Sequence, residues 1–201
     1  MKTFASIALV ATACAATPAL AQENPGTQVY AGPVIGYDNV SQSGGGATLS
    51  GSGVSYGGVV GVDAPMGERT RIGIETEFAG STASRTTTAG ALVDKFTAGR
   101  DLSISVKLGY MVTPKLETYM KLGYTNAKFS DTVWTAGAVT SAISFKESGY
   151  RLGAGLAYYL DKVRLRAEYR YSNYGDLSIA GVATGTTIQR HQVMAGMTYG
   201  F

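Results

Sequence analysis

Apolar and polar residues alternate one by one in eight stretches of the chain. They are "QVYAGPVIGYD", "GVSYGGVVGVD", "RTRIGIETEFA", "LSISVKLGYMV", "LETYMKLGYT", "YRLGAGLAYYL", "VRLRAEYRY" and the terminal "HQVMAGMTYGF". A period of two places one set of side chains on each face of a β-strand. The fourth stretch shows it plainly, with Leu102, Ile104, Val106, Leu108 and Tyr110 opposed to Ser103, Ser105, Lys107 and Gly109. No segment keeps a 3.6-residue period long enough to predict a helix.

The connections alternate as well. Short links, "APMGE", "TPK" and "DK", follow the second, fourth and sixth stretches. Long links rich in Gly, Ser, Thr and Ala follow the others, as in "NVSQSGGGATLSGSG" and "GDLSIAGVATGTT". These read as flexible loops. Eight antiparallel strands with short turns at one end and long loops at the other predict an all-β, up-and-down barrel.

Glycine decides which face is inside. Glycines 32, 36, 57, 61, 73, 109, 123, 153, 155, 196 and 200 fall on the polar faces, and Gly58 alone falls on an apolar one. The inside of an eight-stranded barrel is barely wide enough for side chains, whereas a water-facing surface has no reason to shed them. The polar face therefore lines the lumen, and the apolar face meets lipid. Tyr30, Tyr37, Tyr110, Tyr124, Tyr150, Tyr158, Tyr169, Tyr171, Tyr199 and Phe201 lie near strand ends or on the lipid side, as interfacial girdles require.

Composition sharpens the picture at the amino terminus. Met1-Lys2, the apolar run from Phe4 to Ala16 and the A-x-A site Ala19-Leu20-Ala21 predict a secretory signal peptide over residues 1–21. Residues 22–201 then form one barrel domain, 180 residues long. The single cysteine, Cys14, falls in the removed segment, so disulfides are not expected. A formal net charge of +3 is too small to call for nucleic acid.

The signal peptide, "YAGPVIGYD", "YMKLGYTNAKF", "GYRLGAGLAYYL" and the terminal "MTYGF" resemble the small outer-membrane barrels of Gram-negative bacteria, the opacity and OmpA-like β-barrel domain group. The resemblance covers the whole mature chain. It implies the cell outer membrane as location, with outer-membrane lipid and lipopolysaccharide and the barrel-assembly machinery as partners. It also implies that Tyr199 and Phe201 form a carboxy-terminal assembly signal. The soluble domain that OmpA-like proteins often add is not expected, since no residues remain for it.

Eleven charges face inward by parity: Arg71, Glu75, Glu77, Lys107, Glu117, Lys121, Arg151, Arg164, Arg166, Glu168 and Arg170. Unpaired burial would be costly, so a cross-strand ion network is expected. A two-residue turn at Asp161-Lys162 predicts the inward pairs Gly155/Glu168 and Ala157/Arg166. Val62 facing Thr70 predicts Gly61/Arg71, and Val112 facing Leu116 sets Lys107 opposite Lys121.

The network reads either as a narrow gated ion path or as filling that holds the barrel shut, and filling is preferred. His191, the only histidine, turns outward with Arg190 and Gln192 beside it. No local hydroxyl completes a nucleophile and base pair. No Cys/His cluster or calcium loop is present. An enzyme, a metal and a cofactor are therefore not expected. Phe129 and Trp134, the bulky aromatics of one long loop, are candidate contacts for a surface or host ligand. The favoured function is a structural or surface-interactive barrel, serving envelope integrity or loop-mediated adhesion. A narrow porin-like channel is the alternative, and a lipid-modifying enzyme the remote one.

Overall fold

Each alternating stretch forms a strand, but the strands run far beyond the stretches that announce them. The structure is a computed structural model that describes residues 26–179 and 182–201; residues 1–21, read as the signal peptide, lie outside the described residues. The strands are β1 (Gln28–Gly44), β2 (Ala47–Pro65), β3 (Thr70–Ser81), β4 (Ser84–Ala89), β5 (Leu92–Thr113), β6 (Leu116–Thr135), β7 (Ala138–Leu160), β8 (Val163–Ile179) and β9 (Val182–Gly200). All pair antiparallel, and β9 returns to pair with β1, so the sheet closes on itself. Segments β3 and β4 share one place in the wall between β2 and β5, which leaves a ring of eight. The register slips by one between Ala79/Asp101 and Ser84/Thr97. There Thr82 accepts the Val54 N–H on its hydroxyl at 2.9 Å.

In their described residues the long links are strand and tight turn rather than flexible loops. "NVSQSGGGATLSGSG" continues β1 and β2 in unbroken pairing as far as Gly44/Ala47, joined by Gly45 (φ 59°) and Gly46 (φ 80°). Two successive residues at positive φ make the tight turn whose twist matches a hairpin. Ala136 (φ 51°) and Gly137 (φ 82°) do the same between β6 and β7. Strand β7 has 23 residues, where about 9–11 cross a membrane at barrel tilt. Roughly half of it therefore stands outside the hydrocarbon.

That length reverses the sense of the alternation along one strand. Near the short turns, Met120, Leu122 and Tyr124 of β6 face outward, and Leu122 is 60 % exposed on the isolated chain. Lys121, between Met120 and Leu122, and Thr125, next to Tyr124, are buried. Beyond Tyr124 the outward residues are Asn126, Lys128 and Ser130, and the inward ones are Ala127 and Phe129, both fully buried. Strands β1 and β9 change over at the same level, from Tyr37 out with Asp38 in, to Asn39 and Ser41 out with Val40 in. The inversion marks where lipid outside the wall gives way to water.

Register agrees with expectation in one hairpin, in part in a second, and departs from it in a third. Gly155 faces Glu168 and Ala157 faces Arg166 across the Asp161-Lys162 turn. Lys107 faces Lys121, but Leu116 faces Thr113 rather than Val112, because an irregularity between Met111 and Thr113 shifts the register at the turn. Gly61, however, faces Glu75 rather than Arg71, and Val62 faces Ile74 rather than Thr70. Strand β2 runs on through Pro65, so the turn closes on residues 66–69 with Met66 N–H donating to the Thr70 carbonyl at 2.8 Å. A shift of four residues leaves every side chain on its own face.

Candidate functional site

The lumen is built in layers. Nearest the short turns, Asp63 accepts from Lys107 at 2.6 Å and from Arg164 at 2.9 Å. Glu117 meets Lys107 at 3.2 Å and accepts the Tyr159 hydroxyl at 2.5 Å. The Arg164 guanidinium is sandwiched by the Tyr30 and Tyr159 rings, 4.3 and 4.6 Å from their centroids. Tyr30 therefore points into the lumen and is no girdle residue; its hydroxyl donates to Glu75 at 2.9 Å.

In the next layer Lys121 stands 2.6 Å from both Glu75 and Glu168. Arg166 donates to Glu75 at 2.6 and 3.2 Å and to Glu168 at 2.7 Å. Arg170 joins Glu168 at 2.6 Å to Glu77 at 2.5 Å. Gly155 makes room, since a Cβ there would lie 2.7 Å from the Tyr119 hydroxyl that donates to Glu168. Val34, Val59 and Met194 form a small apolar patch within the polar lumen.

The third layer contains four charges, the expected Arg151 and three that the inward list drawn from sequence lacks. Arg190 grips Asp38 through two bonds of 2.8 and 2.5 Å and reaches Asp101 at 2.8 Å. Arg151 also pairs with Asp101, which accepts the Thr125 hydroxyl at 2.7 Å. Together with Asp63 below, the missed residues are Asp38, Asp101 and Arg190. Asp38 and Asp63 ended their stretches on the polar face, so parity carried the signal for both. Asp101 lay one residue outside its stretch, and Arg190 lay one outside the last. Arg71, by contrast, is only half-buried and donates to the Gly26 carbonyl at 3.4 Å. Among the described residues the buried set holds seven cations and seven carboxylates, a balance where the sequence list carried an excess of positive charge.

An aromatic layer caps the third. Phe129 stacks on Phe96 at 5.6 Å, meets Tyr174 edge-on at 5.4 Å and touches Phe145 at 5.8 Å. Val40, Ala83, Ala98, Ala127 and Ile188 complete it. Phe129 is thus not a loop contact: it is fully buried and out of a partner's reach. Trp134 is half-buried near the hairpin end, opposite Val93 and Val139. Outside the wall, His191 accepts or donates at Nδ1 to the Tyr169 hydroxyl, 2.7 Å away, with Tyr171 at 5.1 Å between ring centres. Its hydroxyl partner comes from the neighbouring strand and is a phenol, not a serine. Tyr199 and Phe201 pack edge to face at 5.4 Å on the outer wall.

A polar mouth stands above the cap. Arg85 donates to Gln42 at 3.1 Å and lies 3.8 Å from Asp94. Burial, a hydrogen bond that the protonated Asp131 carboxyl donates to Asp94 and the charge of Asp94 push the Asp131 carboxyl up to about 6, with Arg85 opposing. A carboxyl whose folded value is raised contributes stability that is complete below about 4 and lost as pH rises through 6. Backbone amides of Val93 and Val133 should therefore exchange more slowly at pH 5 than at pH 7.5, after correction for intrinsic rates. Asp131→Asn should erase the difference. Equal protection at both pH values would contradict the coupling.

The family pattern described as Outer membrane protein beta-barrel domain matches residues 6–201. The chain belongs to that family. No curated protein sequence matches it. Among solved structures, outer-membrane β-barrels are similar to it at low identity. The attachment invasion locus protein Ail of Yersinia pestis is 14 % identical, with 85 % of this chain and 98 % of that one covered, at a TM-score of 0.48. Neisserial surface protein A is 16 % identical over 88 % and 99 %, at 0.48. The outer membrane protease OmpT of Escherichia coli is 9 % identical over 89 % and 98 %, at 0.49. As an outer-membrane β-barrel domain, this chain presents lipid with the wall around Leu122, Leu156 and Val106, and the short turns belong on the periplasmic side.

Proposed function

We propose that this outer-membrane barrel is a sealed anchor that holds stiff β-hairpins above the outer leaflet for contact with a surface or host ligand, and that it neither conducts nor catalyses. The observation that carries this reading is the filled lumen. A neutral network of buried charges and an aromatic layer of Phe96, Phe129 and Tyr174 follow one another along the axis. An ion crossing that apolar layer would lose its hydration without finding a ligand. The hairpins, paired to their turns, present polar walls at little entropic loss on binding.

Refolded protein in planar bilayers should give no reproducible conductance steps. Single-channel steps whose size changes in Glu168→Ala or Arg166→Ala would establish the narrow-channel alternative instead. Lipopolysaccharide from cells carrying His191→Ala should match that from wild-type cells, and an altered lipid that reverts in the variant would restore the enzyme reading. Export follows from the signal peptide, so the mature protein should begin at Gln22. Tyr199 and Phe201, exposed side by side, suit a contact with the barrel-assembly machinery.

A further inference from the structure

Just above the outer aromatic girdle the wall carries an arrangement that ordinary sheet pairing disfavours. Lys128 of β6 and Lys146 of β7 stand directly opposite each other on the outward face. Like charges in that position destabilise a sheet. The pairs on either side are complementary: Asn126 donates to Ser148 at 2.9 Å, and Ser130 and Ser144 hydroxyls meet at 2.9 Å. A bulge in β5 then adds a third cation. Between Ala98 and Asp101 two residues, Gly99 and Arg100, oppose Lys128 alone. Bulges re-aim side chains, and this one turns Arg100 to the outer wall, where it donates to Asn126 at 3.4 Å. Gly99 permits the close approach, since a Cβ there would lie 3.1 Å from the Lys128 carbonyl oxygen. The second terminal nitrogen of Arg100, Nη1, is buried and has no partner in the protein.

Among the residues whose side chains are described, the charged side chains on the outward wall above the girdle are Lys95, Arg100, Lys128 and Lys146, all basic. Glu147 falls on the opposite face, across from the fully buried Ala127. The height is informative. Tyr124 and Tyr150, one outward step below Asn126 and Ser148, are paired neighbours at the upper edge of the lipid-facing belt. The three cations therefore sit where the headgroups of the outer leaflet begin.

We propose that Arg100, Lys128 and Lys146 form a binding site for a phosphate group of an outer-leaflet lipid. Arginine offers a planar fork and lysine a mobile ammonium to the same oxyanion, and the lysine stems can lie along the wall while their heads reach it. The bound phosphate turns the Lys128/Lys146 repulsion into shared attraction. This site rests on the outer-membrane placement of the barrel and deepens the anchoring reading, because it would clamp the wall to the leaflet around it.

The test uses the full mature chain refolded in detergent and titrated with phosphorylated lipid A, with the same lipid after removal of its phosphates, and with inorganic phosphate. The phosphorylated lipid should bind about tenfold or more tightly than the dephosphorylated one, with strong salt dependence. Lys128→Gln/Lys146→Gln should remove that preference, whereas Lys115→Gln/Lys162→Gln at the other end of the barrel should keep it. Equal binding of the two lipids, or an unaffected double variant, overturns the site. Inorganic phosphate binding as tightly as the lipid overturns the lipid as its source.

A second measurement separates binding from structure. Without phosphate Lys128→Gln should raise the urea midpoint, and with phosphorylated lipid it should lower it. The same sign in both conditions also overturns the proposal. Heat-modifiable mobility of each variant on gels shows independently that the barrel itself has formed, so loss of the site leaves the anchor reading standing.

Discussion

Arg166→Met should lower the stability of the refolded barrel by about 3–5 kcal/mol, read as a fall in the urea midpoint in lipid vesicles. Arg166 is 6 % exposed and donates to both Glu75 and Glu168, so its loss leaves this buried layer one cation short. Lys121 and Arg170 must then serve three carboxylates, Glu75, Glu77 and Glu168. Removing one member of a buried network is far more damaging than replacing the pair by apolar or neutral groups. Adding Glu75→Gln to Arg166→Met should therefore recover at least half of the loss. A decrease below about 1 kcal/mol in the single variant, the range of an exposed ion pair, would mean that the lumen is wet and the network screened.

Phe129→Ala should produce a loss of similar size, about 3–5 kcal/mol, by a different route. The ring fills the middle of the aromatic layer, packed against Phe96, Tyr174 and Phe145. Phe129→Leu, which keeps most of the volume, should lose less than half as much. The damage should be local in the first instance. The β6–β7 hairpin should become cleavable by protease near residues 136–137 while the membrane wall stays folded. If Phe129→Ala leaves both stability and protease resistance unchanged, Phe129 faces water as a loop residue would, and the sealed cap does not exist.

The second expectation depends on the inversion of alternation at the girdle, which is also where reading by sequence stopped. In the membrane zone the pattern is unmistakable: Leu116, Thr118, Met120, Leu122 and Tyr124 face lipid, and Glu117, Tyr119, Lys121 and Gly123 between them face the lumen. Above it, "NAKFSDTVWT" still alternates, but with the polar residues outside and Ala127 and Phe129 within. The outer residues there are serine, threonine, asparagine and lysine, the composition of a loop. Strand and loop look alike once the solvent facing the wall is water.

Register shows a comparable limit. The turn at Asp161-Lys162 is too short to allow alternatives, and its pairs follow from the residues alone. The four-residue shift between β2 and β3 does not. It is favoured by partners on distant strands, since Asp63, carried into the paired region, meets Lys107 and Arg164.

By itself, then, the amino-acid sequence determined an eight-walled barrel with lipid outside and a polar, glycine-lightened lumen. Those features are written in neighbouring residues, because each lipid-facing position must be apolar whatever its partner. Only the tertiary structure decided that the strands continue past the membrane, that Phe129 caps the lumen, and that Asp38, Asp63, Asp101 and Arg190 bring the buried charges to balance. These depend on which residues meet across the closed ring, and a pairing between positions as far apart as Asp38 and Arg190 leaves no periodic trace along the chain.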